Sequence, residues 1–180
     1  MLLALSFLKF TLFALFFLLI DGDMKISDLL KPEFVIPEMK GKTKEEVINE
    51  LIDLFKDDER VNDLDRIRSS VLEREKIMST GVGKGFAIPH SKTLATSDIL
   101  VAFGRLSKPI DFEALDGEPV NLVFLLVGKE NMVGPHIKLL SRISRMMNKD
   151  EFRKSVADAK DTSEILDIFQ EEEQKYLDLS

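Results

Sequence analysis

The sequence predicts a single-domain α/β sandwich, in which a mixed, mainly central β-sheet of about five strands is flanked by helices on both faces. Segments with the apolar period of an amphipathic helix alternate with short runs rich in β-branched and aromatic residues, and such alternation is typical of a sheet covered by helices. The chain has 180 residues, of which 44% are hydrophobic and 32% charged. This length and composition indicate one globular domain with its own core.

The first half of the domain predicts an extended segment and two helices. Residues 34–39 form a short extended piece that is broken by a proline. Residues 43–57 form an amphipathic helix that begins with a capping box of Thr43 and Glu46. Residues 63–78 form a second helix that begins at Asp63 or Asp65, with Arg74 and Glu75 on its surface. The apolar side chains predicted to face inward are Val47, Leu51, Leu54 and Phe55, followed by Leu64, Ile67, Val71 and Met78.

Three further segments are predicted to be strands. Residues 85–90 form one strand, while residues 98–107 and 120–128 are β-branched and aromatic runs typical of central strands. A Gly-Glu-Pro turn within residues 115–120 separates the last two. The order of strands and helices in this half therefore supports a sheet covered by helices.

The domain is predicted to end in three helices. The first covers residues 134–147 and has Pro135 at its first helical position, which is the favoured place for proline. Two more amphipathic segments, residues 150–159 and 162–177, complete the chain.

The first 23 residues differ in composition from the rest. The run from Leu2 to Ile20 is predominantly apolar, with Lys9 in its middle, and it is long enough to cross a bilayer. Three interpretations stay open: a signal peptide, although a basic start and a small-residue cleavage site are missing; a membrane anchor; or upstream sequence read in frame before a start at Met24. We favour the third interpretation, because nothing after Met24 requires the apolar run.

We therefore divide the chain into an apolar leader, residues 1–23, and one domain, residues 24–180. The domain is expected in the cytoplasm. A membrane is involved only if residues 1–20 are a real anchor, in which case the tethered domain faces the cytoplasm because of the lysines that follow.

The composition limits the chemistry of the domain. The chain contains no cysteine, which excludes disulfides, thiolate nucleophiles and thiolate metal sites. Its formal net charge of −7 argues against nucleic acid as a partner, because such binding needs a concentrated field of Lys and Arg. The chain has only two histidines, and both stand at unusual places.

His90 ends the stretch STGVGKGFAIPH, residues 79–90. This stretch is not a phosphate-binding P-loop, because Met78 replaces the first glycine and Gly85 follows the lysine. Its glycines indicate either an ordinary turn or backbone freedom beside a site that another molecule approaches closely. The histidine follows a rigid proline at the end of a predicted strand, where α/β sheets usually bind ligands. The alternative is a strand-end histidine that is hydrogen-bonded to nearby backbone.

His136 falls on the first turn of the predicted helix, directly after Gly134 and Pro135. Free N–H groups and the positive end of the helix dipole attract anions there, and a neutral histidine can help to hold a phosphate. Neither histidine has a second metal ligand at helical spacing, and no G-x-S-x-G motif is present. We therefore predict no metal and no cofactor, and a histidine that acts directly as the nucleophile.

The segment REKIMSTGVGKGFAIPHSKT resembles the phosphorylation-site signature of the enzyme IIA domains of the bacterial phosphoenolpyruvate-dependent phosphotransferase system, in the fructose/mannitol class (type 2), which includes the nitrogen-type regulatory member. The core of that signature is an acidic or amide residue, a hydrophobic-Gly segment and then A-[LIVM]-P-H, which is met here by Ala87-Ile88-Pro89-His90. The resemblance extends over residues 24–180. Ser91 departs from the Gly, Ala or Cys of many members. The apolar leader also departs, because these domains are normally soluble or fused to other components of the system.

This resemblance implies a phosphotransferase component that carries phosphate on a histidine. His90 would accept a phosphoryl group from an HPr-type phosphocarrier and pass it to an enzyme IIB partner, which is expected to act in trans because the chain has no thiol acceptor. In the family a second histidine and an arginine sixteen residues before the active histidine lie at the site, and these positions match His136 and Arg74. Arg74 can equally be a solvated helix charge. As an alternative, the resemblance implies a nitrogen-type regulator whose phosphorylation state controls binding to target proteins.

Overall fold

The structure, a computed structural model, describes residues 24–177, so the predicted leader and the last three residues lie outside the described part. The helices are α1 (Ile26–Leu29), α2 (Lys44–Asp53), α3 (Leu64–Ile77), α4 (Val133–Met147), α5 (Asp150–Asp158) and α6 (Thr162–Leu177), with a 3₁₀ turn at Pro32–Phe34. The strands are β1 (Val35–Met39), β2 (Gly81–Gly83), β3 (Phe86–Ala87), β4 (His90–Thr93), β5 (Leu100–Ile110) and β6 (Val120–Lys129). Among residues 24–177, no helix is both long enough and apolar enough to span a bilayer.

The strands form one mixed sheet of six strands in the order β1-β5-β6-β3-β2, and β4 also pairs with β6. β1 is parallel to β5, β5 is antiparallel to β6, and β3 and β4 are both parallel to β6. β2 and β3 form an antiparallel pair at the end of this order. The prediction of a single-domain α/β fold with a mixed sheet is confirmed.

Both faces of the sheet are covered. Residues 100–104 of β5 and 122–128 of β6 are buried without interruption, and successive side chains of a strand point to opposite faces. The Phe169 ring of α6 lies 5.2 Å from the Phe103 ring of β5 and 5.8 Å from the Phe124 ring of β6, measured between centroids. The last helix therefore packs on the two central strands.

The predicted strand over residues 85–90 is two strands, β3 and β4, separated at Ile88 and Pro89. Pro89 has no N–H to donate to a ladder, although its carbonyl still accepts the N–H of Leu126 at 3.0 Å. His90 consequently begins a strand, where the sequence predicted that it would end one. The glycine segment before it also contributes the short strand β2, which was not predicted, and this raises the strand number from about five to six.

The predicted N-caps of α2 and α3 are present. The Thr43 hydroxyl accepts the N–H of Glu46 at 3.2 Å, and the Asp63 carboxylate accepts the N–H of Arg66 at 2.9 Å. The Glu46 carboxylate accepts the N–H of Lys42 at 2.8 Å, one residue before the capping-box position. The helix of residues 134–147 is predicted one residue too late, because α4 begins at Val133 and Pro135 is its third residue.

Two predictions for α3 are wrong. Met78 is 60% exposed, because the helix ends at Ile77 and the extended backbone of Met78 turns its side chain away from the buried face. Glu75, which was predicted on the surface, is 6% exposed, because its carboxylate has buried hydrogen-bond donors on Thr80.

Candidate functional site

A cleft of about 490 Å³ opens between α3, β4 and α4 and contains all three predicted site residues, His90, His136 and Arg74. The remaining side chains that line it are Ser70, Glu73, Ile77, Ser91, Lys92 and Leu140. A larger cavity of about 560 Å³ lies beside β1 and β5, but no histidine lines it. The cleft is therefore the candidate site.

The proton of His90 is held on one ring nitrogen. Its Nδ1 lies 2.7 Å from the carbonyl oxygen of Ile88, and a carbonyl can only accept a hydrogen bond. Nδ1 of the neutral ring therefore carries the hydrogen, which leaves the lone pair on Nε2 available to react. The ring is half-buried at the start of β4, where backbone pairing with Leu126 of β6 holds its residue.

The imidazole of His90 favours the neutral state. Burial lowers the pKa of His90 below its ordinary value, and the charge of Arg74 lowers it as well. The hydrogen bond to Ile88 and the charge of Glu75 raise the pKa of His90 but do not reverse the shift. A neutral imidazole is the form that can act as a nucleophile.

His136 is the second ring of the cleft and is 4% exposed. Its ring centroid lies 6.0 Å from that of His90, with the ring planes inclined at 54°. The Nδ1 edge faces the backbone of β6 so closely that a Cβ on Gly128 would lie 2.5 Å from Nδ1. Gly128 therefore makes room for this ring, and its only sequence signal is a glycine within a strand.

Nδ1 of His136 is a buried atom without a hydrogen-bond partner. Burial, together with charge repulsion from His90 and Lys92, lowers the pKa of His136 to about 4. The N–H of His136 donates to the carbonyl of Met132 at 3.2 Å, so this amide is not among the free amides of the helix end. His136 is consequently a neutral ring at physiological pH.

Arg74 lies in the last turn of α3 and is half-buried in the cleft. Its Nη1 donates to the carbonyl oxygen of Met78 at 2.9 Å, which fixes one side of the guanidinium and leaves its other N–H groups for further acceptors. Arg74 lies at the cleft, and its role there stays a prediction.

Ser91 is accommodated by a hydroxyl partner. Its Oγ lies 3.0 Å from Oγ of Ser70, which in turn lies 2.8 Å from the carbonyl oxygen of Ile67. Since that carbonyl takes the hydrogen of Ser70, Ser91 donates to Ser70. The hydroxyl group that distinguishes Ser91 from the Gly, Ala or Cys of many members therefore has a hydrogen-bond partner inside the cleft wall.

The glycine turn before His90 is packed by the chain itself. Gly83, Lys84 and Gly85 have φ values of 109°, 56° and 80°. The Asp116 carboxylate accepts the N–H of Lys84 at 2.7 Å, and a Cβ on Gly83 would lie 2.7 Å from the same oxygen. The side chain that packs closely against this turn is therefore that of Asp116. The alternative of glycines kept free for an approaching molecule has no support at Gly83.

Within the described range 24–177, no group of three or more His, Asp or Glu side chains is arranged to hold a metal ion. The polar side chains of the cleft supply two neutral imidazoles, one guanidinium, two hydroxyls, the carboxylate of Glu73 and the ammonium group of Lys92. The only sequence signal for Gly128 is a glycine within a strand, and Glu75, which was predicted on the surface, is buried behind the cleft wall.

The family model described as "Phosphoenolpyruvate-dependent sugar phosphotransferase system, EIIA 2" matches residues 28–172 of the chain. The chain is 37% identical over 145 residues to the PTS system fructose-specific EIIABC component of Bacillus subtilis, which covers 81% of this chain and 23% of that protein. It is also 37% identical over 149 residues to the nitrogen regulatory protein of Bradyrhizobium diazoefficiens, which covers 81% of this chain and 94% of that protein.

Similarity extends to a solved structure. The crystal structure of the nitrogen regulatory protein IIA-Ntr from Neisseria meningitidis matches with a TM-score of 0.76 at 29% identity, over 80% of this chain and 98% of that chain. The chain thus spans nearly the whole length of two of these proteins and about a quarter of the third.

The lowered pKa of His136 predicts how stability depends on pH. Below its ordinary pKa the unfolded chain binds a proton at this residue, whereas the folded chain resists it down to about pH 4. The contribution of His136 to the free energy of unfolding is therefore fully present above about pH 6.5. This free energy decreases as the pH falls toward 4, by at most roughly 3 kcal/mol. Urea unfolding followed by circular dichroism at a series of pH values should show this loss in the wild type and less of it in His136→Gln. The prediction would be contradicted if the free energy of unfolding decreased with falling pH as steeply in the variant as in the wild type.

Proposed function

From the premise that this chain belongs to the EIIA 2 family of the phosphoenolpyruvate-dependent sugar phosphotransferase system, we propose that His90 is its phosphorylated residue. In this proposal His90 accepts a phosphoryl group from an HPr-type phosphocarrier and passes it to an enzyme IIB partner. The observation that carries the proposal is the free Nε2 of His90, which results from the bond between Nδ1 and Ile88, in a cleft shared with His136 and Arg74.

In the transfer step, the lone pair on Nε2 of His90 attacks the phosphorus atom of the donor's phosphohistidine. The bond from phosphorus to the donor nitrogen breaks, and its electron pair returns to the donor imidazole, which carries a hydrogen on its other nitrogen and leaves as a neutral ring. The hydrogen on Nδ1 of His90 stays on that atom, where Ile88 accepts it. Such a step requires mainly positioning, together with stabilisation of charge on three equatorial oxygens.

Arg74 and His136 are suited to that charge. A guanidinium forms strong, directed hydrogen bonds to phosphoryl oxygens, and Arg74 lines the same cleft as His90. His136 is neutral and turns its Nδ1 edge to Gly128, so Nε2 at the opposite edge can donate to a phosphoryl oxygen without repelling Arg74. Neither group needs a metal ion or nucleotide.

The surface around the cleft suits a protein partner. Ile77 on α3 is 80% exposed, and Ile137 and Val133 on α4 are 59% and 43% exposed. Exposed apolar side chains grouped around a polar centre are typical of protein interaction sites. The fructose-specific relative bears the name EIIABC, and we propose an enzyme IIB in trans as the acceptor for this chain.

The second candidate function is regulatory. The chain is as similar to a nitrogen regulatory protein as to a fructose-specific component, at 37% identity in both cases. In that role the same phosphohistidine would change the affinity of the surface around the cleft for target proteins. The two functions share the acceptor chemistry of His90 and differ in what receives the phosphate.

Phosphorylated HPr should label the wild type with phosphate that is labile in acid and stable in base, as expected for phosphohistidine. The chain has two histidines, so His90→Ala and His136→Ala together assign the label. We expect no label on His90→Ala and a clear label on His136→Ala, measured with radioactive phosphate. Label retained on folded His90→Ala would end the assignment.

His136→Ala and Arg74→Met should still accept phosphate but pass it to enzyme IIB roughly 10- to 100-fold more slowly, because each loses a group that stabilises the transferring phosphoryl. Rapid-quench kinetics with purified partners measure this rate. Arg66→Met is the matched control, since Arg66 is an exposed arginine on the same helix. Unimpaired onward transfer in both site variants would refute their supporting roles.

The acceptor distinguishes the two functions. We expect phosphate on His90 to move to an enzyme IIB encoded near this chain. Transfer is followed by the loss of label from the chain and its gain by the partner. A chain that keeps its label with every such partner, and that binds a target protein only in one phosphorylation state, would support the regulatory function instead.

A further inference from the structure

Glu75 has a buried carboxylate that the proposed transfer step does not use. Its two oxygens lie 3.0 and 3.2 Å from the backbone N of Thr80, and Oε2 accepts the Thr80 hydroxyl at 2.5 Å. Nζ of Lys44 lies 3.2 Å from Oε1. The carboxylate therefore joins the end of α3 to the residue that precedes β2.

This contact closes a short loop that contains the anchor of Arg74. Met78 lies within the loop between Glu75 and Thr80, and its carbonyl oxygen accepts Nη1 of Arg74 at 2.9 Å. Adjacent residues at the helix end thus act on opposite sides of the loop: Arg74 reaches into the cleft, and Glu75 holds the loop from behind.

The same contact continues to His90. The carbonyl oxygen of Thr80 accepts the N–H of Ile88 at 3.0 Å. The carbonyl oxygen of Ile88 lies 2.7 Å from Nδ1 of His90. One backbone hydrogen bond and one bond from the histidine side chain to a backbone carbonyl therefore connect Thr80, which Glu75 holds, to Nδ1 of His90.

We propose that Glu75 is a positioning residue of the transfer site, which sets the place of the Arg74 guanidinium and the tautomer of His90 through the carbonyls of Met78 and Ile88. The proposal rests on the proposed function of His90. Glu75 acts from behind the cleft wall and does not line the cleft.

Hydrogen bonds, more than charge, carry this role. Lys44 also pairs with Glu113, so the ammonium group keeps a partner when the charge of Glu75 is removed. A glutamine at position 75 retains a carbonyl oxygen for the N–H of Thr80 and gains an amide that can donate to its hydroxyl. Glu75→Gln should therefore restore what Glu75→Ala loses.

The test measures the tautomer of His90 by ¹⁵N NMR in the unphosphorylated protein above pH 8. This measurement needs no phosphoryl donor. We expect the wild type to hold the hydrogen almost wholly on Nδ1, and Glu75→Ala to show a mixture of the two tautomers. Labelling by phosphorylated HPr should be roughly 10-fold slower in Glu75→Ala and close to the wild type in Glu75→Gln. Glu113→Gln, which removes the exposed partner of Lys44, is the matched control and should leave both measurements unchanged.

The outcomes separate a positioning role from a merely structural one. A folded Glu75→Ala with a lower melting temperature but the wild-type tautomer and labelling rate would overturn the proposal. If Glu75→Ala does not fold, Thr80→Val decides, because it removes only the 2.5 Å bond; it should shift the tautomer part of the way, and an unchanged tautomer would overturn the proposal. If the wild type shows the expected tautomer but phosphorylated HPr does not label it, the proposed function is contradicted. The effect of Glu75 on the tautomer is measured separately and would still hold.

Discussion

The chemistry of the cleft depends on one hydrogen bond, between Nδ1 of His90 and the carbonyl oxygen of Ile88. The acceptor lies only two residues before the histidine, across a proline whose ring fixes φ. The ring is therefore oriented by its own segment, and partner binding is not needed to choose its tautomer. Without this bond the neutral ring would divide between its two tautomers, and a hydrogen on Nε2 would block attack in one of them.

The electrostatics of the cleft follow from the partial burial of that ring and its neighbour. Two imidazoles with centroids 6.0 Å apart would repel each other if both were charged, and burial lowers the pKa of both His90 and His136. Arg74 keeps its positive charge. In the proposed transfer, an arriving phosphoryl group would meet the side chains of Arg74 and Lys92 and two neutral rings. No proton would have to leave His90 before it attacks.

Strand β6 is the common support of both rings. His90 pairs with Leu126 in the β4–β6 ladder, and Gly128, two residues further along β6, lies against the ring of His136. Because β6 is buried on both faces, neither ring can move far without disturbing the core. The guanidinium, in contrast, comes from the end of α3, where the fold supplies rigidity through the loop that Glu75 closes.

By itself the sequence determined the fold class, the helices and their caps, because apolar period and capping side chains act over a few residues. It also predicted that His90, His136 and Arg74 lie together, since the motif around His90 resembles a family whose model matches residues 28–172. Only the tertiary structure decided that the strand breaks at Pro89, that Glu75 is buried and that Gly128 admits His136. Each of these features depends on contacts between segments that are distant in sequence, or on a competition between local and tertiary hydrogen bonds. A local sequence pattern contains no information about either.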